Sequence, residues 1–184
     1  MIRFLDIFFS IIILSILLPF LVLIYFLLFM DNKSPLFFQE RVGRNMRNFT
    51  LIKFRTMVIG TEDYPTHLVD PSRITLLGSV IRKLKIDEIP QFLNVIRGDM
   101  TIVGPRPCLV SQIKLLEERK KRNIHKVKPG ITGLAQIRGI DMSDPKLLAE
   151  TELNMIKNFT IKKYFFYFIK TLIGAGFGDK VRKS

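Results

Sequence analysis

The chain has 184 residues, of which 29 are Lys or Arg and 16 are Asp or Glu, so its formal net charge is +13. This length accommodates one domain with a core of ordinary size, and the single cysteine, Cys108, excludes an internal disulfide and is typical of a reducing compartment. The two histidines, His67 and His125, have no Cys or His partner at ligand spacing, so the sequence argues against a structural zinc site.

A long apolar segment opens the chain. From Ile7 to Met30 the sequence has 24 residues without a charge. As a helix it would be about 36 Å long, which exceeds the hydrocarbon thickness of a bilayer, about 30 Å. It is too long for the apolar region of a signal peptide, and the residues after it offer no cleavage site, so we expect it to remain in the membrane.

The residues alone leave the topology of this segment open. Pro19 lies in its middle and predicts a bend, because proline removes a backbone hydrogen bond. Basic residues mark the cytoplasmic side of a membrane, and they flank both ends here, with Arg3 before the segment and Lys33 and Arg41 after it. A re-entrant helix would place both ends in the cytoplasm, and a spanning helix is equally compatible with the pattern.

Nearly all of the charged residues follow this segment. A basic surplus next to a membrane segment indicates attraction to anionic lipid, and it also suits a substrate that carries phosphate. Nucleic acid is the weakest alternative, because most of the aromatic residues are phenylalanines in apolar runs and do not form a stacking surface among basic residues. We therefore expect no nucleic-acid partner.

A β-hairpin and a helix are predicted next. Phe37–Val42 and Phe49–Met57 have strand-like sequences around a turn. On the second strand Lys53 and Arg55 project from the same face, either as a solvated surface or as a basic wall for a phosphate. Residues 60–75 are polar and predict a surface loop, and "LLGSVIRKLK" then predicts a helix with a basic end.

Two adjacent carboxylates follow that helix. Asp87 is predicted to cap a new helix that has Glu88 and Pro90 in its first turn and that stops near Gly98. The positive end of a helix favours an ionised carboxylate, and an ionised carboxylate can attack phosphorus. The alternative is ordinary acidic decoration of a first helical turn.

Two further segments are candidates for contact with phosphate. In "VGPRP" the backbone around Arg106 is fixed by Pro105 and Pro107, and a preorganised guanidinium suits bidentate phosphate binding. A solvent-facing arginine is the alternative. The segment "KPGITGLAQIRG" predicts a second glycine-rich loop, around Gln136, of the kind that approaches a ligand closely.

The last third of the chain predicts two helices and a tail. Asp144 is expected to cap a helix that runs to about Lys157. Lys163 and Lys170 then lie on one face of an aromatic helix, a pattern that suits the headgroup region of a membrane, with a buried core helix as the alternative. The closing "GAGFGDKVRKS" predicts a flexible tail, because no strand and helix follow it as in a dinucleotide site.

Four segments, in order along the chain, resemble the signature blocks of one enzyme family: "SPLFFQERVG", "KFRTM", "IDEIPQFLNVIRGDMTIVGPRP" and "PGITGLAQIRG". They are similar to those of the bacterial sugar transferases, the monotopic phosphoglycosyl transferases. The resemblance implies an α/β, mainly helical monotopic protein of the bacterial inner membrane. It further implies a re-entrant membrane helix within residues 1–33. Residues 34–184 would form a catalytic domain with a small β-hairpin, amphipathic interfacial helices and an active site that faces the cytoplasm.

The same resemblance implies a reaction. A sugar-1-phosphate would move from a UDP-sugar to polyprenyl (undecaprenyl) phosphate with release of UMP, through a covalent aspartyl phospho-sugar intermediate. This step would initiate polysaccharide assembly, with downstream glycosyltransferases as further partners. Asp87 matches the nucleophile of the family and Glu88 matches its dyad partner, and both would hold Mg²⁺.

Substrate-binding roles follow for residues outside the dyad. We expect phosphate or substrate contacts from Lys53, Arg55, Arg82, Pro105, Arg106, Pro107 and Gln136.

The chain also departs from the family pattern, and a function of another class remains possible. Leu18 precedes Pro19 where relatives commonly have serine, and "AQIRGID" replaces the usual ending of the glycine-rich block, which predicts a difference in sugar recognition. The function of another class is a membrane-anchored basic adaptor for anionic lipid or acidic partners. Such an adaptor would need the charge and the apolar helix but not Asp87.

Overall fold

The computed structural model describes residues 1–60 and 70–173, and this part of the chain is mainly helical with two small two-stranded sheets. The predicted α/β, mainly helical class is therefore confirmed. Most of the predicted loop at residues 60–75, His67 and the predicted C-terminal tail lie outside the described residues. The helices are α1 Ile2–Asn32, α2 Leu76–Lys83, α3 Gln91–Arg97, α4 Ile113–Lys121, α5 Leu134–Ile137, α6 Pro145–Lys157 and α7 Ile161–Leu172. The strands are β1 Leu36–Val42, β2 Asn48–Phe54, β3 Thr101–Val103 and β4 Gly130–Thr132.

Helix α1 contains the predicted apolar segment and runs without a break through Pro19. By length and composition it could cross a membrane. It ends where Lys33 adopts the left-handed conformation, with φ of 53°, and donates its backbone N–H to the Phe29 carbonyl. Most of its apolar side chains are exposed, as expected of a helix whose surroundings are lipid.

The N-terminal turns of α1 are anchored to the rest of the fold by polar side chains. Arg3 donates to the carbonyls of Val95 and Ile96 at 2.6 and 3.0 Å. Asp6 is 2% exposed. Its carboxylate accepts from the Thr101 hydroxyl, the Ile102 N–H and the Tyr164 hydroxyl at 2.7 to 3.0 Å, and burial raises the pKa of Tyr164 above its ordinary range. The opposite end of α1 packs through Ile24 and Leu28 against Phe54 and Ile81. Both ends of the helix therefore contact the same body of protein.

The predicted hairpin is present as an antiparallel pair of β1 and β2, with Phe37 opposite Lys53 and Val42 opposite Asn48. The turn between the strands contains a 3-10 segment, Arg44–Met46. Strand β2 ends at Phe54, three residues before the predicted Met57. The hairpin places the side chain of Lys53 in a buried position.

The prediction that Asp87 caps a helix is wrong. Lys85 adopts the left-handed conformation, with φ of 58°, and a 3-10 turn, Ile86–Glu88, begins immediately after it. Asp87 therefore lies inside the opening turn and not at the N-cap position. Helix α3 follows from Gln91 and ends at Gly98, whose φ of 98° confirms the predicted stop.

The predicted glycine-rich loop around Gln136 is also wrong, because it consists of strand β4 followed by the short helix α5. Strand β4 pairs in parallel with β3, with Thr101 opposite Gly130 and Val103 opposite Thr132. The glycines serve this close packing: a β-carbon on Gly130 would lie 2.0 Å from the backbone nitrogen of Gly104. The backbones approach each other instead of leaving room for a mobile loop.

Helices α6 and α7 close the core. The predicted cap is confirmed, since Asp144 accepts a hydrogen bond from the Leu147 N–H at 3.0 Å. Helix α7 combines both alternatives that its sequence allowed. Tyr164 and Phe168 are buried in the main core, whereas Phe166 and Ile169 are about half exposed on the other side. The core also includes Leu51, Phe92, Val95, Met100, Ile102, Val103, Met155 and Tyr167.

Candidate active site

The two adjacent carboxylates lie in the 3-10 turn between α2 and α3. Asp87 is 6% exposed as a residue, and the side chain of Glu88 is 13% exposed. Glu88 Oε1 accepts a hydrogen bond from Arg106 Nη2 at 2.9 Å, and Lys53 Nζ lies 3.6 Å from the same oxygen. The structure thus brings four of the predicted site residues to one place, from three separate segments of the chain. We call Glu88 and Arg106 the site pair.

The position of Lys53 relative to the dyad is set by Asn94, a fully buried residue of α3. Its Oδ1 accepts from the Ile52 N–H at 3.0 Å, and its Nδ2 donates to the Thr50 carbonyl at 2.7 Å. These bonds join α3 to the edge of β2 as a neighbouring strand would. We did not predict this role, although an amide inside a largely apolar helix was a usable signal.

The loop that carries Arg106 is held at three successive carbonyls. Pro105 O accepts from the Gly130 N–H at 2.7 Å, and Arg106 O accepts from Arg119 Nη2 at 2.7 Å. Pro107 O accepts from Arg41 Nη1 at 3.2 Å. The guanidinium of Arg106 is therefore presented from a backbone that has little freedom to move, as its flanking prolines predict.

Arg119 is itself fixed by Glu152, and we call these two residues the buried pair. The carboxylate accepts from Arg119 Nε at 2.8 Å and from Nη2 at 2.5 Å. The two side chains are 7% and 1% exposed. Burial disfavours the charge on Arg119, but Glu152 and Cys108 together outweigh this effect, so the arginine pKa is raised above its ordinary value. No local pattern in the sequence pairs residues so far apart, so this support was not predictable.

Two other basic residues were predicted to bind phosphate: Arg55, just after β2, and Arg82, in α2. Arg55 donates to the carbonyls of Ser34 and Leu36 at 3.0 and 3.2 Å, and its guanidinium lies 5.3 Å from the centre of the Phe37 ring. These contacts tie the hairpin to the segment after α1. Arg82 is half-buried in the last turn of α2, just before the dyad turn. The phosphate-binding roles of both arginines stay predictions.

Gln136 lies in the short helix α5, behind Gly133. Its side-chain oxygen and nitrogen are both buried, and neither has a hydrogen-bond partner among the residues that the structure describes. An unsatisfied buried amide is costly, and a ligand atom that reached it would be bound favourably. Its predicted contact with substrate stays a prediction.

The electrostatics of the site favour an anionic ligand. Burial lowers the pKa of the Lys85 ammonium; the Glu88 carboxylate opposes this effect, and the positive charge of Arg106 adds to it to a smaller extent. Lys53, Lys85 and Arg106 therefore surround the two carboxylates with positive charge. A phosphate placed among these cations would be attracted to them.

The dyad also determines which metal ion the site could hold. Within residues 1–60 and 70–173, no group of three or more His, Cys, Asp or Glu side chains is arranged as a metal site. Two neighbouring carboxylates are too few for zinc but fit Mg²⁺, which takes one or two carboxylates and completes its shell with water and substrate phosphates. Asp87 and Glu88 are the residues that would hold it.

Comparison with known proteins gives a family and several relatives. A family model described as bacterial sugar transferase matches residues 1–176. An uncharacterized sugar transferase, EpsL, of Bacillus subtilis (strain 168) is 50% identical over 107 residues, which cover 58% of this chain and 52% of the relative.

Two relatives have names that state an activity. The UDP-N-acetylgalactosamine-undecaprenyl-phosphate N-acetylgalactosaminephosphotransferase of Aeromonas hydrophila is 36% identical over 165 residues, covering 82% of this chain and 38% of the relative. The undecaprenyl-phosphate glucose phosphotransferase of Komagataeibacter xylinus is 42% identical over 140 residues, covering 71% of this chain and 26% of the relative. The chain thus spans about half or less of the length of these relatives.

Proposed function

Because the chain belongs to the bacterial sugar transferase family, we propose that it transfers a sugar-1-phosphate from a UDP-sugar to undecaprenyl phosphate and releases UMP. The observation that carries this proposal is the convergence of Lys53, Asp87, Glu88 and Arg106 at one place in the fold. The names of the Aeromonas and Komagataeibacter relatives support the choice of acceptor. By the same analogy the product would initiate a surface polysaccharide that other glycosyltransferases extend.

The first chemical step is an attack by the Asp87 carboxylate on the phosphorus that carries the sugar. A bond forms between a carboxylate oxygen and this phosphorus. The bond from phosphorus to the bridging oxygen of the diphosphate breaks, and its electron pair leaves with UMP. An aspartyl phospho-sugar remains, so one difficult transfer is divided into two easier displacements.

The cations of the site bind the donor phosphates during this step. In the structure Arg106 contacts Glu88, and its side chain is 21% exposed, so a phosphate can reach it. A phosphate of the donor would replace Glu88 as the partner of the Arg106 guanidinium, and Lys53 would remain beside the dyad. Bound at Asp87 and Glu88, Mg²⁺ would supply further positive charge against the diphosphate.

The second step returns the enzyme to its starting state. An oxygen of undecaprenyl phosphate attacks the phosphorus of the aspartyl phospho-sugar, and the bond from phosphorus to Asp87 breaks with its electrons on the carboxylate. The product is a lipid diphosphate that carries the sugar. The same preorganised Arg106 would bind the phosphate oxygens in both steps.

The contacts of α1 support a re-entrant, monotopic arrangement at the bacterial inner membrane, with the site on the cytoplasmic face. A spanning helix would place its two ends on opposite faces of the membrane. Here Arg3 bonds to α3, and Leu28 packs against Phe54 of β2, so both ends contact one body of protein. Cysteines introduced at Ile2 and Ser34 should both resist a membrane-impermeant thiol reagent in intact cells, and labelling of position 2 alone would contradict this topology.

The experiment that tests the activity is UMP release by the purified protein from a set of UDP-sugars, with undecaprenyl phosphate and Mg²⁺. We expect one donor to give turnover and its lipid product to contain the sugar. Asp87→Asn is the matched control, since the two side chains have nearly the same shape. A basic adaptor would bind anionic vesicles equally well with either residue and would release no UMP.

A further inference from the structure

A second cationic site lies away from the dyad, at the N-terminal end of α1. A cavity of about 520 Å³ opens there. Four basic side chains line it: Arg3, Arg44, Lys126 and Lys128. They come from α1, the hairpin turn and the segment before β4, so the fold brings them together from three distant parts of the sequence.

These four side chains have no carboxylate partner among the described residues. Arg3 donates to main-chain carbonyls of α3, and Arg44 Nε donates to the Lys126 carbonyl at 2.9 Å. Asp6 is the acidic residue in the lining, and its carboxylate accepts three hydrogen bonds from neutral groups, so it offsets one of the four positive charges. The cavity therefore keeps a net positive charge.

Two of the cations converge on one point. A β-carbon added to Gly98 would lie 3.5 Å from Arg3 Nη2 and 3.6 Å from Lys128 Nζ. Burial lowers the pKa of Lys128, and the charges of Arg3 and Arg44 lower it further, against the smaller opposite effects of Asp6 and Asp99. An anion in the cavity would offset the repulsion among these cations.

The basic part of this cavity lies away from Asp87. Asp87 is at the start of the helical stretch that continues into α3, and Arg3 contacts the carbonyls of Val95 and Ile96 at its end. Eight residues of helix correspond to about 12 Å, so a single phosphate bound at Asp87 cannot also contact Arg3. On its other side the cavity reaches the loop of the site pair, because Pro105 is part of the lining.

The position of the cavity identifies the kind of anion. Arg3 is four residues before Ile7, where the uncharged segment begins, so this end of α1 lies at the level of the lipid headgroups whether the helix spans or re-enters. The lining also has an apolar part, which includes Ile2, Met155 and Phe159. We propose that the cavity binds the headgroup phosphate of an anionic phospholipid, with the apolar part against its glycerol and first methylene groups.

The test is lipid binding by the full chain in detergent micelles, followed by native mass spectrometry during titration with phosphatidylglycerol. The variant is Lys126→Gln with Lys128→Gln, because no side-chain hydrogen bond or ion pair of either lysine is seen in the structure. The matched control is Lys114→Gln with Lys120→Gln, which removes the same charge from exposed positions of α4.

We expect the wild-type chain to retain one phosphatidylglycerol, the cavity variant to bind it about 10-fold or more weakly, and the α4 control to stay within about twofold of wild type. Asp87→Asn should bind the lipid normally, which separates this site from the dyad. Equal losses in both lysine pairs would overturn the proposal in favour of diffuse surface charge. Equally tight binding of phosphatidylcholine, or of inorganic phosphate alone, would overturn the assignment to an anionic lipid.

Discussion

Two Arg–Glu pairs meet at Arg106, and they differ in what surrounds them. The site pair has side chains that are 21% and 13% exposed, so solvent reaches both of them. The buried pair, Arg119 and Glu152, is 7% and 1% exposed and fixes the backbone of Arg106 through its carbonyl. The same two residue types therefore fix the fold where they are buried, and in our proposal they bind substrate where water reaches them.

The buried pair should have the largest effect on stability. Glu152→Ala leaves the Arg119 charge buried without its partner, and such a loss costs about 3–5 kcal/mol. We expect a large drop in the unfolding temperature of the detergent-solubilised protein. The control is Glu150→Ala, which removes a partner of Arg122 that is 49% exposed and should change stability by about 1 kcal/mol or less. Similar shifts in the two variants would contradict the distinction between buried and accessible pairs.

The support on the hairpin side should have the next largest effect. Asn94→Ala leaves the buried Ile52 N–H and the carbonyl of the exposed residue Thr50 without this partner, at a cost of about 1–3 kcal/mol. Asn154→Ala on the exposed face of α6 is the control and should stay within about 0.5 kcal/mol of wild type. Thermal unfolding measures the stability of both variants. An Asn94→Ala protein that unfolds at the wild-type temperature would show that β2 and α3 pack together without the amide.

The site pair should show the opposite behaviour, with a loss of activity and little loss of stability. Arg106→Lys keeps the charge but removes the planar fork that binds two phosphate oxygens. We expect UMP release to fall about 10-fold or more, equivalent to about 1.4 kcal/mol. Arg97→Lys, at an exposed position on α3, is the control. Near-normal turnover of the Arg106 variant would contradict the phosphate-binding role and favour a solvent-facing arginine.

What the sequence predicts well is local. The hairpin, the stop of α3 at Gly98 and the cap of α6 by Asp144 each depend on a few neighbouring residues, and all are present. Asp87 was misplaced because Lys85 adopts the left-handed conformation, which propensity does not favour, and so caps the turn two residues earlier than predicted. The glycines near Gln136 were interpreted as a loop, because glycine is favoured both in loops and where two backbones pack closely, as β3 and β4 do here.

What the sequence does not reveal is the long-range support of the site. Asp6 contacts residues near positions 101 and 164, and Arg119 contacts Glu152, with no periodicity that links them. The strands β3 and β4 are three residues each and pair only because the surrounding core aligns them. These contacts depend on tertiary packing, so the residues of the dyad could be identified from sequence while their fixed geometry could not.

The most direct test of the proposed mechanism is the mass of the protein after incubation with the UDP-sugar donor and Mg²⁺ in the absence of lipid acceptor. The account predicts release of at most about one UMP per site and a gain of one phospho-sugar on the peptide that contains Asp87. Addition of undecaprenyl phosphate should remove the adduct, and Asp87→Asn should form none while unfolding at the wild-type temperature. An active enzyme that forms no adduct, together with turnover by Asp87→Asn, would contradict the covalent mechanism and favour direct attack by the lipid phosphate.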